Sequence, residues 1–383
     1  MPSDLDFMRL ALRLARRGYG RTSPNPMVGA VLVRDGAVIG QGWHRRAGQA
    51  HAEIEALHDA QRPGRSGCGA SGATLYVTLE PCSTHGRTPP CTDAIIAAGI
   101  RRVVAASADP NPAHGGRGFA ILERAGIEVK AGLLAEEAAE LNEAFHHWIV
   151  HRTPLVTVKA GMSLDGKIAT VGGESRWITG VKARAVGMKL RAGADAILVG
   201  VKTVLTDDPS LTVRLPGFKN KRWRRIILDP RARTPLTAKV VSDQHAASTI
   251  VVVTKAAPAR RAAALGRRVR LLRAPARADG IHLRWLLKKL GQEEVTLLLV
   301  EGGGETNAAF LSAGVASRVA FFYAPLVLGG RDAPRAVAGQ GVGKVSHATV
   351  LRQSRWRRIG SDLLLTARLP EAAWKSGYVY RNR

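Results

Sequence analysis

The sequence predicts an α/β protein in two domains, and three observations predict it. Runs of β-branched and aliphatic residues alternate with stretches whose apolar residues recur at helical spacing. The chain has 383 residues, enough for two ordinary cores. The residues able to carry chemistry form two sets that share no position, one on each side of His151-Arg152-Thr153-Pro154, which reads as a linker. The expected domains are therefore residues 1–148 and 149–383, with 370–383 as a tail.

From the N-terminus, Phe7 to Arg17 repeats apolar residues as a helix does. Pro24-Asn25-Pro26-Met27-Val28-Gly29 is a loop feeding a strand over Ala30 to Arg34. Asp35-Gly36 is a hairpin turn, and Val38 to Trp43 is the returning strand. A helix opens at His51 and runs to His58. Thr74 to Leu79 is a strand that ends in a cysteine loop, and Thr92 to Ala98 is the next helix. Val103 to Ser107 is a strand and Gly118 to Ala125 a helix. This alternation predicts an αβα layered first domain. A helix ends around Leu141-Asn142-x-x-Phe145-His146, before the linker.

Past the linker, strands are expected over Leu155 to Lys159, Ala196 to Gly200, Arg225 to Leu228, Thr249 to Thr254, Val295 to Glu301 and Arg318 to Tyr323. A helix spans Lys182 to Ala192. Gly172-Gly173-Glu174-Ser175-Arg176-Trp177-Ile178-Thr179 reads as a loop closing onto a site.

Composition bounds the function. The hydrophobic fraction of 45% suits two globular halves. No apolar run reaches the length of a membrane span and no signal-peptide pattern opens the chain, so a soluble cytoplasmic protein with no membrane partner is expected. Three cysteines suit a reducing compartment better than a disulfide framework. Lys plus Arg number 57 against 30 Asp plus Glu, a formal charge of +27, which attracts nucleic acid or phosphorylated metabolites. The excess gathers in Lys219 to Arg225 and Arg260 to Arg277. The second run mixes arginine with alanine and has no aromatic on which a base could stack. It reads as a solvated surface, and no specific nucleic-acid partner is expected.

The first chemical set is His51-Ala52-Glu53 with Glu80-Pro81-Cys82 and Cys91. One imidazole and two thiolates give zinc three protein ligands and leave a fourth position open for water, as a catalytic site requires. The metal lowers the water's pKa so that hydroxide forms near neutral pH. Glu53, two residues past His51, stays off the metal and can shuttle protons. This is the arrangement of a zinc deaminase, although eight residues separate the cysteines instead of two. The alternatives are a structural zinc site or a buried His and Cys without metal. A structural site closes its shell with four side chains, and the remaining cysteine, Cys68, lies in a Gly/Ser-rich loop. Cys91 falls at a helix N-terminus, which favours thiolate.

The second set centres on Glu301-Gly302-Gly303-Gly304-Glu305-Thr306-Asn307, between a hydrophobic strand and a helix. Glycines there let backbone N–H groups approach a phosphate, which a helix N-terminus also favours. The other reading is a tight turn without a ligand. The spacing is not Gly-x-Gly-x-x-Gly, so the Rossmann fingerprint is rejected.

Taken together, Asn25-Pro26-x-Val28-Gly29, His51-Ala52-Glu53, the eight-residue cysteine gap and Asp109-Pro110-Asn111-Pro112 resemble the bifunctional riboflavin-biosynthesis deaminase/reductase family, over residues 4 to 369. The resemblance implies a cytidine-deaminase-like domain followed by a dihydrofolate-reductase-like domain, with zinc and NADPH as cofactors. It implies deamination of 2,5-diamino-6-ribosylamino-4(3H)-pyrimidinone 5′-phosphate, then reduction of the ribosyl side chain to ribityl. By the same resemblance His51, Cys82 and Cys91 are the zinc ligands and Glu53 the proton shuttle. Asn25 and His44 hold the pyrimidine, and Arg87 meets the substrate. Family members often carry His directly after Cys-Ser; here that place is Thr84, and His85 follows.

In the second half the resemblance assigns Gly161, Trp177, Thr203, Asp207 and the turn residues Gly303, Gly304, Glu305, Thr306 and Asn307 to the cofactor. Ser175, Arg191, Leu211, Arg214 and Glu301 are assigned to the substrate, and Lys159 and Asp207 are candidates for catalysis. The forks of Arg191 and Arg214 suit a substrate phosphate. A homo-oligomer is expected. The first rival is a tRNA-type nucleic-acid deaminase with a basic accessory domain, which the charge favours and the second half's turn opposes. The second is a degenerate deaminase acting as a scaffold, which the intact ligand set and Glu53 oppose.

Overall fold

The computed structural model describes residues 2–62, 69–85, 89–218, 221, 223–277 and 280–370. Arg87, Cys68 and the tail beyond 370 lie outside the described residues. The chain divides into two compact units, Met1–Val150 and His151–Arg383, each with its own sheet.

In the first unit, α1 (Asp4–Ala15) begins before the apolar periodicity does. The backbone N–H and hydroxyl of Ser3 both donate to the Asp6 carboxylate, at 2.9 and 2.7 Å, and fix the first turn. Strands β1 (Gly29–Arg34) and β2 (Ala37–Trp43) follow, then α2 (Ala52–Ala60) and β3 (Thr74–Val77). Next come α3 (Cys91–Ala97), β4 (Arg102–Ala105), α4 (Arg117–Arg124) and β5 (Glu128–Ala131). Helices α5 (Ala135–Leu141) and α6 (Glu143–His151) complete the unit.

The sheet order is β2-β1-β3-β4-β5. β1 runs antiparallel to β2 and β3, and the rest are parallel. The two-residue period of β1 splits its side chains between two cores. Ala30 and Leu32 pack with Ala56 of α2, Ile95 of α3 and Leu122 of α4. Val31 and Val33 pack with Met8 and Leu12 of α1 and Ala138 of α5. That is the αβα layering the alternation predicts. Gly40 and Gly42 of β2 let α2 lie on bare backbone: a Cβ there would sit 2.3 Å from the Ala56 carbonyl and 2.5 Å from that of Ala52.

The second unit opens with β6 (Leu155–Ser163), α7 (Val181–Gly193), β7 (Ala196–Gly200) and α8 (Val201–Asp207). Then come β8 (Arg224–Leu228), α9 (Lys239–Ser242), β9 (Thr249–Val253), α10 (Ala259–Gly266) and β10 (Arg270–Arg273). A small hairpin, β11 (Ala276–Arg277) and β12 (Gly280–Ile281), precedes α11 (Leu283–Gln292). The unit ends with β13 (Leu297–Val300), α12 (Gly304–Ser312), β14 (Arg318–Ala324), β15 (Arg352–Ile359) and β16 (Asp362–Arg368).

Apart from β11 and β12, which pair with each other, these strands form a nine-stranded sheet in the order β10-β9-β8-β7-β13-β6-β14-β16-β15. It is parallel from β10 to β14, and β16 and β15 are antiparallel additions. The carboxyl ends of β6, β13, β7, β8 and β9 therefore share one edge, where ligands of such sheets bind. Among the described residues no helix is long and apolar enough to cross a membrane.

Within the basic run from Lys219 to Arg225, the described residues Lys221 and Arg225 are not the simple charged patch that composition suggests. Arg225 is fully buried, with all five of its N–H donors engaged. It forks onto Asp243 at 2.7 and 2.8 Å and bonds Thr249 Oγ1 and the carbonyls of Ser210 and Val240. Lys221 donates to the carbonyls of Ala192 and Ala194 at the end of α7, and burial pulls its pKa down to about 8. Removing one partner of a buried, fully bonded ion pair costs about 3–5 kcal/mol. Arg225→Met is therefore expected to lower the urea midpoint of the second unit markedly, and a variant as stable as the parent would contradict this account.

Candidate functional site

The first site is assembled from two helix starts and a loop. His51 is the N-cap of α2, Cys91 is the first residue of α3, and Cys82 lies in the loop after β3. His51 Nδ1 stands 3.5 Å from Cys82 Sγ and 3.3 Å from Cys91 Sγ, and all three ligand atoms lie within 4.8 Å of one another. The Cys91 backbone N–H also donates to Cys82 Sγ, at 3.3 Å. A hydrogen bond from Cys91 holds the Cys82 thiol down to about 4, while Cys82 and burial push the Cys91 thiol far up. Two thiols this close share a proton until a dication allows both to ionise. The donor set therefore fits zinc.

Glu53 is 3% exposed and sits in the first turn of α2. Burial pushes its carboxyl up and His51 partly counters that, a direction that suits a group taking and returning a proton near neutrality. His44 is buried as well. Its Nδ1 lies 3.0 Å from the Ala50 carbonyl, which can only accept, so Nδ1 carries a proton. Burial disfavours the imidazolium, which leaves Nε2 to accept from the Asn25 amide at 3.2 Å. The structure thus brings Asn25, His44, His51, Glu53 and both cysteines into one neighbourhood. Thr84 and His85 are exposed in the cysteine loop.

Two residues named by the motifs, Glu80 and Asn142, have supporting roles that their sequence context does not predict. Glu80 is buried and accepts three backbone N–H groups, from Asp109 and Gly116 at 2.9 Å and Gly118 at 2.8 Å. It ties the Cys82 loop to the Asp109–Pro112 loop and to the start of α4. Gly118 is needed for that approach, because a Cβ there would lie 2.3 Å from the Pro81 carbonyl. Asn142 clamps the Asn25 loop: its amide accepts from the Met27 N–H at 2.7 Å and donates to the Met27 carbonyl at 2.9 Å.

The second site lies at the carboxyl edge of the large sheet. The turn after β13 leads into α12, whose first intrahelical donor is Asn307, to the Gly303 carbonyl. The N–H groups of Gly304, Glu305 and Thr306 thus have no acceptor within the helix. The glycines differ in purpose. A Cβ at Gly302 would lie 2.4 Å from Thr306 Cβ, and one at Gly304 would lie 2.2 Å from the Arg335 carbonyl. Among the described residues, a Cβ at Gly303 would have only Thr203 Oγ1 within 4 Å, at 3.8 Å. Open space over a glycine and three helix-start N–H groups without intrahelical acceptors fit a diphosphate.

Beside the turn, Glu301 is gripped by Arg191, with Nε and Nη2 donating at 2.9 and 2.7 Å, and Arg191 Nη1 reaches the Thr212 carbonyl. Burial works against the Glu301 charge, but Arg191 and Lys159 outweigh it and hold the carboxyl down to about 2. The fork expected to face a phosphate thus holds Glu301, and only two of its five N–H donors remain. Lys159 of β6 also lies over the Phe322 ring at 5.9 Å. Ser175 Oγ donates to Asp207 Oδ1 at 3.1 Å, which joins the Gly173–Thr179 loop to the end of α8.

Gly161 faces Thr179, Trp177 is exposed under the Arg184 guanidinium, and Arg214 is exposed. Two of the expected contact residues have their side chains in the core. The Leu211 side chain is buried in the core with Val213 and Trp223, and its carbonyl accepts from Trp223 Nε1. Asn307 is fully buried and its Nδ2 donates to the Ala336 carbonyl at 2.8 Å, which anchors the segment covering the turn.

A zinc-type His-Cys-Cys centre in one α/β unit and a dinucleotide-type turn in a second define a deaminase joined to a reductase. Residues 1–107 match the cytidine and deoxycytidylate deaminase zinc-binding region, and residues 154–365 match the RibD C-terminal domain. The riboflavin biosynthesis protein RibD of Aquifex aeolicus is 43% identical over 94% of this chain and 97% of its own. That of Escherichia coli is 40% identical over 94% and 97%. Acinetobacter baumannii RibD superposes with a TM-score of 0.84 at 36% identity, over 96% of this chain and 99% of its own. The Thermotoga maritima diaminohydroxyphosphoribosylaminopyrimidine deaminase/5-amino-6-(5-phosphoribosylamino)uracil reductase gives 0.81 at 35% identity, over 96% and 99%. The chain belongs to the RibD family of riboflavin biosynthesis proteins.

Proposed function

We propose that the chain carries out two consecutive steps on one phosphorylated pyrimidine: hydrolytic deamination in the first unit, then NADPH-dependent reduction in the second. The observation that carries this is the meeting of His51, Cys82 and Cys91 around one point with buried Glu53 beside it, in a chain whose other unit holds an open glycine turn. When bound, zinc supplies an activated water and NADPH a hydride. Glu53 takes a proton from the attacking water and returns it to the pyrimidine, and the exocyclic 2-amino group leaves as ammonia. Asn25 and His44 orient the ring. In the second unit the turn at Gly303 to Thr306 holds the cofactor diphosphate, with Thr203 and Asp207 beside it. Ser175 and Arg214 hold the substrate, Glu301 and Arg191 form the wall behind it, and Lys159 delivers a proton as the opened ribosyl imine is reduced to the ribitylamine.

The substrate is an anion, which gives the chain's positive charge a use without nucleic acid. On this reading the protein works as a cytoplasmic homo-oligomer. Supplying the diaminopyrimidinone ribosylamine phosphate with NADPH should release ammonia and consume NADPH in equal amounts. Ammonia release without NADPH loss would leave only the deaminase, and neither signal would overturn the proposal.

A further inference from the structure

The carboxyl edge of the large sheet holds a second, more rigid structure that neither the motif set nor the mechanism uses: the loop after β8, from Asp229 to Thr234. Its fold is heavily pinned. Asp229 is fully buried, and its Oδ2 accepts from both the N–H and the hydroxyl of Thr234, at 2.7 Å each. The Pro230 carbonyl accepts from the Thr254 N–H and hydroxyl, at 3.1 and 3.0 Å. Arg261 donates to the carbonyls of Ala232 and Thr234. Ala232 is buried at a φ of 54°, a conformation kept only when its surroundings enforce it. What this framework presents to solvent is Arg231 and Arg233.

Its position in the sheet indicates a use. Strand order runs β8-β7-β13-β6, and strands lie about 4.8 Å apart. The loop is therefore roughly 10 Å from the glycine turn, on the side away from Lys159 of β6. If the diphosphate of NADPH rests on that turn, the nicotinamide must extend towards β6, where the reduction occurs. The adenosine half then extends across the Thr203 turn after β7 towards β8. An arginine carried on that pinned loop stands at the distance where the group in which NADPH differs from NADH, the phosphate on the adenosine 2′ oxygen, would fall. The one acid in the loop, Asp229, is turned inward onto Thr234 and does not face that phosphate.

We propose that Arg231 reads the 2′-phosphate of the cofactor and sets the preference for NADPH over NADH. The proposal rests on the reductase reading above. Guanidinium–phosphate hydrogen bonds are among the strongest a surface side chain makes, and a fixed loop avoids the cost of ordering one.

The test is a calorimetric titration of the full-length protein with NADPH, NADH, adenosine 2′,5′-bisphosphate and ADP. The parent should prefer NADPH. Arg231→Gln should weaken NADPH and the 2′,5′-bisphosphate by on the order of tenfold or more, and leave NADH and ADP unchanged. Arg233→Gln removes the same charge from the same loop and serves as the control; it should change the NADPH to NADH ratio far less. Equal loss of both dinucleotides in Arg231→Gln would mean a structural role and would overturn the proposal. So would an unchanged ratio, or an equal change in Arg233→Gln, which would indicate a diffuse field. A parent protein that binds neither dinucleotide would overturn the reductase reading and this proposal together.

Discussion

Glu53→Gln is expected to retain stoichiometric zinc and to lose deamination by on the order of a hundredfold or more. The glutamine is nearly isosteric, so a side chain only 3% exposed can be exchanged without opening a cavity. What disappears is the ability to take and return a proton. Cys82→Ser should do the opposite and empty the metal site, because a hydroxyl is a poor substitute for thiolate towards zinc. Metal analysis and ammonia release on the two purified variants check the pair. Zinc lost from Glu53→Gln and kept in Cys82→Ser would reverse the assignment of ligand and shuttle. Glu53→Gln should also continue to oxidise NADPH when given the deaminated intermediate directly. If it stayed folded yet failed to do so, the two sites would be one coupled centre.

Gly303→Val should abolish reduction and weaken NADPH binding at least tenfold, roughly the loss of one or two charge-assisted hydrogen bonds to phosphate. Gly303 is the informative position of the three. At Gly302 and Gly304 an added Cβ would strike Thr306 or the Arg335 carbonyl, so the fold itself would suffer. At Gly303 the backbone is extended, with φ −67° and ψ 174°, which valine adopts readily. The space its side chain would fill is the space a diphosphate needs. Deamination should persist and the unfolding transition should barely move. NADPH binding at the parental affinity would remove the turn from the cofactor site.

How much of this was legible in the sequence depended on how local the cause was. The His51, Glu53, Cys82 and Cys91 set was readable because a metal demands particular donors at spacings a loop and two helix starts can supply. The αβα layering is readable because strand and helix patterns alternate along the first unit. Glu80 was visible only as part of the Glu-Pro-Cys motif, because its partners, at Asp109, Gly116 and Gly118, are backbone groups that carry no side-chain signature. Asn142 was hidden for the same reason, since it clamps the backbone of Met27. Arg191 was expected to face phosphate, but its partner Glu301 lies far along the chain, and a guanidinium fork suits a carboxylate equally well. Leu211 and Asn307 matched ligand contacts by position, but core packing claims their side chains. The apolar repeat Leu283, Leu286, Leu287 and Leu290 marks α11 by its helical spacing alone. The edge strands β5, β10 and β15 have largely exposed, charged sequences without the alternation that marks a half-buried strand.

The strand order of the large sheet also sets a timetable for synthesis. β6 is the first strand of its unit to leave the ribosome, yet its two neighbours, β13 and β14, are encoded far downstream at Leu297–Val300 and Arg318–Ala324. Until they arrive, an apolar strand beginning Leu155-Val156 has both edges unpaired, the state most open to wrong pairing with other nascent chains. The first unit has no such wait, because β1 finds β2 and β3 within a short stretch of chain. The deaminase half can therefore be complete while the reductase half is still a sheet without its centre. A cell that makes this protein quickly thus has more need of chaperones for the second half than for the first.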